Sequence, residues 1–106
     1  MAVDGQKLLG LLGLARRAGK LAIGFSAVEQ LVKRGEAPLV VVAAGVGASQ
    51  LGKIERWEPL RGLVKDALPA EDLAQAMGRD KLVVVGVCDP GFINGIQKLV
   101  AGGIGS

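Results

Sequence analysis

The sequence predicts one small α/β domain, a three-layer α/β/α sandwich with a four-stranded mixed sheet and about five helices. A chain of 106 residues is long enough for a single hydrophobic core and too short for two. Helical and strand patterns alternate along it with short connections, which favours helices on both faces of one sheet. Two nearly continuous apolar runs, residues 39–43 and 81–88, are typical of strands buried in the middle of such a sheet.

The first part of the chain predicts two helices and two strands. Residues 4–18 carry leucine and alanine at helical spacing, and residues 21–23 form a short strand. The S-x-x-E pattern of residues 26–29 fits a capping box, with its serine at the start of the second helix. Gly35 ends that helix, and the valine-rich run 39–43 then forms a strand.

The middle of the chain predicts a helix, a weak strand and a second helix. Residues 49–58 place apolar side chains at helical spacing, and Pro59 ends the pattern. Residues 61–65 form a weak strand at the periphery of the sheet. The next helix begins after Pro69 with two acidic residues in its first turn and closes at Gly78.

The last part of the chain predicts a strand and a closing helix. Residues 81–88 form the second strong strand. Asp89 is suited to cap the following helix and Pro90 to occupy its first position. We expect residues 100–106, rich in glycine, to be a frayed tail of a single domain that spans residues 1–106.

The composition excludes several kinds of catalytic and metal site. The chain has no histidine and one cysteine, Cys88, so Ser-His-Asp and Cys-His arrangements and closed zinc sites cannot form. We therefore expect no enzyme activity, no metal and no cofactor. A single cysteine favours a reducing compartment, and no apolar run approaches the roughly 20 residues of a membrane helix. A cytoplasmic protein that does not bind membranes is expected.

A stretch near the start of the chain combines positive charge with a helix start. Residues 5–28 contain no carboxylate. Their cations are Lys7, Arg16, Arg17 and Lys20. The turn at residues 24–26 leads into the second helix, and the free N–H groups of a helix start attract phosphate. Together with a net charge of +3 and a pI of about 9.4, this pattern favours a nucleic-acid partner.

Several segments resemble the kink-turn-binding ribosomal protein family, and more specifically its small bacterial branch. They are LGLARRAGK at residues 12–20, Gly24, KRG at residues 33–35, Gly78, and DPGF at residues 89–92. The resemblance extends over nearly the whole chain. It implies an α/β/α sandwich that binds structured RNA without catalysing a reaction, in association with the ribosome or the translation machinery.

The resemblance also implies where RNA would bind. Three neighbouring loops at one end of the sheet, residues 24–26, 44–46 and 78–81, would form the site. Glycines let a backbone come close, and cations at the rim attract phosphate. The residues expected to contact RNA are Arg16, Arg17, Lys20, Gly24, Phe25, Ser26, Gln30, Gly45, Arg79 and Lys81.

One difference from the family leaves a second function open. Archaeal-type members carry an Asn-Glu pair and a lysine where this chain has Ser26, Ala27 and Gln30. The carboxylate and amide that would read a sheared G·A pair are therefore absent. The first hypothesis is an RNA-binding protein of kink-turn type. The alternative is a protein-interaction module on the same fold, with weakened RNA specificity.

Overall fold

A computed structural model of the chain describes residues 4–105, and the side-chain surroundings of residues 4–100. Five helices alternate with four strands in this part of the chain. The elements in chain order are α1 (Gly5–Arg17), β1 (Leu21–Ile23), α2 (Phe25–Lys33), β2 (Leu39–Ala44), α3 (Ala48–Glu55), β3 (Gly62–Pro69), α4 (Ala70–Ala76), β4 (Val84–Val87) and α5 (Pro90–Gly105). The predicted element order is confirmed.

The four strands form one mixed sheet in the order β1-β4-β2-β3. Strand β4 is antiparallel to both β1 and β2, whereas β2 and β3 are parallel. Strands β1, β2 and β3 therefore run in one direction and β4 runs in the other. We call the end of the sheet where β1, β2 and β3 finish and β4 begins the carboxyl end.

Helices cover both faces of the sheet, as the predicted sandwich requires. Side chains of α1, α4 and α5 pack on one face with Val41 and Val85. Side chains of α2 and α3 pack on the other face with Val40 and Val84. Alternate residues of a strand point to opposite faces, so a strand covered on both sides is apolar at every position. All residues of β4 are buried, as are the first five of β2.

Helix α1 packs as its sequence predicts and occupies nearly the predicted residues 4–18, with Asp4 as its cap. The Asp4 carboxylate accepts hydrogen bonds from the backbone N–H groups of Gln6 and Lys7 at 3.1 and 3.2 Å, which caps the helix start. Leu8 and Leu12 lie on one helical stripe and are fully buried against the sheet. Burial of this stripe compensates for the glycines that weaken the helix.

The start of α2 differs from the predicted capping box. Gly24 is the N-cap residue, the helix begins at Phe25, and no side chain caps it. The Gly24 N–H donates to the Val84 carbonyl oxygen at 3.0 Å, and its φ of +96° turns the chain directly from β1 into the helix. Ser26 therefore lies inside the first turn, and its predicted capping role is wrong. The predicted stop at Gly35, with a φ of +81°, is confirmed.

Several predicted boundaries move by a few residues. Strand β3 continues past the predicted 61–65 because a register shift between Val42 and Ala44 lets β2 pair with it as far as Pro69. Its place at the edge of the sheet agrees with the prediction. Strand β4 is shorter than the predicted 81–88, and α3 ends before residue 58.

Helix α5 starts as predicted. The Asp89 carboxylate accepts a hydrogen bond from the Phe92 N–H at 3.2 Å, and Pro90 is the first helical residue. The tail predicted to fray, residues 100–106, is helical as far as Gly105, while Ser106 lies outside the described residues. None of the helices in residues 4–105 is long and apolar enough to cross a membrane.

Candidate nucleic-acid interface

Three connecting segments meet at the carboxyl end of the sheet. Strand β4 lies between β1 and β2, so the segment that enters β4 lies between the segments that leave its neighbours. The Gly24 N–H donates to Val84, and the Ala43 N–H donates to the Val83 carbonyl oxygen at 2.8 Å. The loops 24–26, 44–46 and 78–81 are thus neighbours, which is the arrangement that the family resemblance implied for them.

Three helices begin at this end without a side-chain cap, and two of them also lack an acidic residue in the first turn. Gly24 is the N-cap of α2 and Gly47 is the N-cap of α3, and neither helix has an acidic residue in its first turn. Their first N–H groups are therefore not satisfied by a side chain, and the helix dipoles add partial positive charge. Helix α4 also begins here, but Glu71 and Asp72 in its first turn oppose that charge.

Gly24 and Gly45 keep the backbone of this end accessible. Both have positive φ, +96° and +91°, a region that other residues rarely adopt. Apart from chain neighbours, no heavy atom lies within 4 Å of the position that a Cβ atom would take at either glycine. A ligand backbone can therefore approach the main chain closely at both turns.

Phe25 lies at the edge of the core beside this end. Its side chain is half-buried, and its ring centroid is 5.1 Å from that of Trp57, with an angle of 45° between the rings. Trp57, which follows α3, was not among the predicted site residues. The sequence predicts an RNA contact for Phe25, and the structure shows that its ring also packs against Trp57 at the edge of the core.

Ser26 and Gln30 lie one helical turn apart on α2, close to the helix start. The Ser26, Ala27 and Gln30 side chains are exposed, while Val28 points into the core. Residues four apart lie on the same helix face, so the hydroxyl and the amide form a neutral polar patch next to the helix start. Together with Ala27, these are the positions at which the sequence differs from the archaeal-type pattern of Asn, Glu and Lys.

Three cations border the loop that enters β4. Arg79 and Lys81 belong to this loop and are exposed. Arg16 reaches it from the end of α1: a Cβ atom placed on Gly78 would lie 3.7 Å from the Arg16 Nη2. Within residues 4–100 the ion pairs are Lys33–Glu29, Arg34–Glu36 and Lys65–Glu55. The three bordering cations belong to none of these pairs.

The structure does not bring Lys20 to the carboxyl end. Lys20 precedes β1, whose first residue, Leu21, pairs with Val87 at the far end of β4. It lies beside Cys88 in a cleft of about 480 Å³. Sequence reasoning grouped Lys20 with the other cations because the direction of β1 cannot be read from the residues. Arg17, the last residue of α1, is exposed.

Two groups outside the carboxyl end have shifted pKa values. Partial burial, and next the Glu36 carboxylate, raise the pKa of the Cys88 thiol. On β3, a hydrogen bond of 2.8 Å to the Glu55 carboxylate and the charge of that carboxylate raise the pKa of Lys65. Neither group lies in the three loops.

The groups that the carboxyl end presents are mainly hydrogen-bond donors. They comprise the backbone N–H groups of two helix starts, the Ser26 hydroxyl, the Gln30 amide and the three bordering cations. Donors of this kind suit phosphate and sugar oxygens. Within the described residues, no group of three His, Cys, Asp or Glu side chains could hold a metal ion.

No protein-family model matches the sequence, and no curated protein matches it. Among solved structures, the Giardia lamblia 15.5kD RNA binding protein has the same fold, with a TM-score of 0.67 and 18% identity over 91% of this chain and 83% of that one. A protein of unknown function from Bacillus halodurans is 33% identical over 89% of this chain and 96% of that one, with a TM-score of 0.76. The chain therefore belongs to the same family as this Bacillus halodurans protein.

Proposed function

We propose that the chain is a non-enzymatic, cytoplasmic RNA-binding protein that docks structured RNA on the carboxyl end of its sheet. One observation carries the proposal: the uncapped starts of α2 and α3 open at the same end as Arg16, Arg79 and Lys81. Helix starts bind anions through their N–H groups, and neighbouring cations add the salt-dependent attraction that dominates nucleic-acid affinity.

The Giardia lamblia neighbour supports this proposal through its name and its shared fold. The resemblance to the kink-turn-binding ribosomal family supports a finer one, that the RNA contains a kink-turn-like bend and belongs to the ribosome or the translation machinery. In a kinked RNA the backbone is sharply bent, and an accessible turn such as that at Gly24 suits its close approach.

The neutral patch of Ser26 and Gln30 limits the expected specificity. A hydroxyl and an amide can donate and accept hydrogen bonds, but they supply no carboxylate to the amino groups of a sheared G·A pair. We therefore expect this protein to recognise the bent backbone more than the bases. A kink-turn RNA should bind more tightly than a straight duplex, by a smaller margin than base reading would give.

The test is the affinity of full-length variants for a labelled kink-turn hairpin, measured by fluorescence anisotropy between about 50 and 200 mM salt. Removing two phosphate contacts in Arg79→Ala/Lys81→Ala should weaken binding and reduce the slope of log K against log salt by about 1 per residue. Lys98→Ala is the matched control, because Lys98 is an exposed cation on α5. Its neighbour Gln97 donates to the Arg61 carbonyl oxygen, just before β3 and at the end of the sheet opposite the three loops.

A second comparison uses Lys20, which the sequence assigned to the site. Because Lys20 lies at the other end of β1, Lys20→Ala alone should weaken binding less than Arg79→Ala alone. If the Arg79/Lys81 double variant keeps the wild-type affinity and salt slope, the carboxyl end is not the RNA site. An equal loss in Lys98→Ala would show that the attraction is not localised there.

A further inference from the structure

An apolar groove runs between α1 and α5, on the face of the sheet opposite α2 and α3. Its volume is about 620 Å³. Its lining includes Lys7, Gly10, Leu11, Leu14, Gly95 and Lys98. The groove belongs to neither the carboxyl end nor the cleft beside Cys88, and the RNA proposal makes no use of it.

Leu14 leaves apolar surface uncovered in the groove. Its side chain is 51% exposed, and within residues 4–100 it is the large hydrophobic residue that the fold leaves exposed. A leucine gains from leaving water, yet this one faces an open groove. Apolar surface concentrated in one concave place is typical of an interaction site.

Gly10 contributes open space to the floor of the groove. Its backbone is helical, and a Cβ atom there would meet no heavy atom within 4 Å apart from its own helix backbone and chain neighbours. Neither its conformation nor its packing within the chain requires glycine, and alanine would make a more stable helix. The absent side chain leaves room for a surface that comes from outside.

The charged residues around the groove indicate which kind of partner it would bind. Neither α1 nor α5 contains an aspartate or glutamate, and Lys7 and Lys98 line the groove. A partner that carries carboxylates beside its apolar side chains complements this rim. A second copy of this chain would place lysine opposite lysine, and like charges brought together oppose association.

We propose that this groove binds an acidic amphipathic helix of a partner protein. The lining of α1 extends from Lys7 to Leu14, which is about 10 Å or two turns of helix, and apolar anchors spaced three and four residues apart match such a groove. The apolar side of the helix would contact Leu11 and Leu14, and its carboxylates would lie against Lys7 and Lys98. The inference does not depend on RNA binding.

Two synthetic peptides of about 15 residues, near the length at which isolated helices form, test the proposal. Both carry the same leucines at helical spacing, flanked by glutamates in one peptide and by lysines in the other. NMR titration of the isotope-labelled full chain should show at least about tenfold tighter binding of the glutamate peptide, with shifts centred on the groove residues. The variant Lys7→Glu/Lys98→Glu should reverse this preference.

Two matched variants check the place of binding. Gly10→Leu fills the groove and should abolish binding of the glutamate peptide, whereas Gly52→Leu, at a helical glycine of α3 that also has open space, should leave binding unchanged. Leu14→Gln, at a position that is already half exposed, should weaken binding without affecting folding. RNA affinity should stay at the wild-type level in Gly10→Leu and Leu14→Gln. A failure of the groove proposal can therefore be distinguished from a failure of the RNA proposal.

Equal binding of the two peptides, or no binding of either, would overturn the proposal. So would a charge reversal that leaves the preference unchanged, or a glutamate peptide that still binds Gly10→Leu. Self-association in sedimentation experiments that Gly10→Leu abolishes would also overturn it, because the occupant would then be a second copy of the chain.

Discussion

Replacing Gly86 by alanine should destabilise the protein through a collision with Val28. Gly86 is a buried residue of β4, and a Cβ atom there would lie 3.1 and 3.2 Å from the two γ-carbons of Val28 on α2. Carbon atoms pack best at about 3.5–4.0 Å, so α2 must move away by several tenths of an ångström. Overpacking of this kind costs about 1–3 kcal/mol, and each kcal/mol lowers the Tm of a domain of similar size by about 4–8 °C.

The pair also allows a double-mutant test of this reasoning. Val28→Ala removes the two atoms that the new Cβ atom at position 86 would meet, at a cost of about 1–3 kcal/mol for two buried methyl groups. In the double variant the alanine at position 86 has room, so the two costs should not add, and their coupling should reach about 1 kcal/mol or more. Urea unfolding followed by the fluorescence of Trp57, the single tryptophan, measures all three variants.

The outcome also bears on the candidate RNA site, because Gly86 lets α2 lie close to the sheet. Moving α2 displaces Phe25 and Ser26 at its start, so Gly86→Ala should weaken RNA binding, and Val28→Ala in the same chain should partly restore it. Wild-type stability of Gly86→Ala would refute the reasoning. Costs that add within about 0.5 kcal/mol in the double variant would refute it as well.

Three further predictions concern single residues. Gly24→Ala should cost about 1–3 kcal/mol in urea unfolding because of its positive φ alone, since the space around it is open; an unchanged midpoint would contradict this. Asp89→Ala removes the acceptor of the Phe92 N–H and should cost about 0.5–2 kcal/mol, whereas Asp89→Asn should cost less. The raised pKa of Cys88 should slow its alkylation at about pH 8 relative to the urea-unfolded chain, and equal alkylation rates would contradict this. The free energy of unfolding should fall as pH rises from the pKa of Cys88 in the unfolded chain to its higher pKa in the folded protein.

The central strands could be predicted because their physical signal is strong. Both β2 and β4 are covered by helices on both faces, so almost every residue is apolar and the run is visible without knowledge of the fold. The ends of the strands carry less signal. Lys81 and Leu82 precede Val84 without a break in the predicted strand, yet the ladder with β2 begins at Val84, because pairing depends on the partner strand as well as on local hydrophobicity.

The sequence predicted which loops lie together at the candidate site better than it predicted the surroundings of individual side chains. Gly24, Gly45 and Gly78 signal turns through their residue type, and the three turns are neighbours in the structure. The S-x-x-E pattern at Ser26 predicted a capping box that the structure contradicts, because the Gly24 N–H pairs with Val84 and the helix begins at Phe25. The position of Lys20 depends on the direction of β1 in the sheet. Pairing with β4 sets that direction, and it cannot be predicted from the local sequence.

The two proposals together explain why residues 5–28 contain no carboxylate. It includes α1, which lines the groove through Gly10 and Leu14 and reaches the carboxyl end through Arg16, and it continues to the start of α2. A carboxylate on the groove side of α1 would repel an acidic helix, and one near the start of α2 would repel phosphate. A single run of sequence thus avoids negative charge for two anionic partners, on surfaces that the sandwich separates.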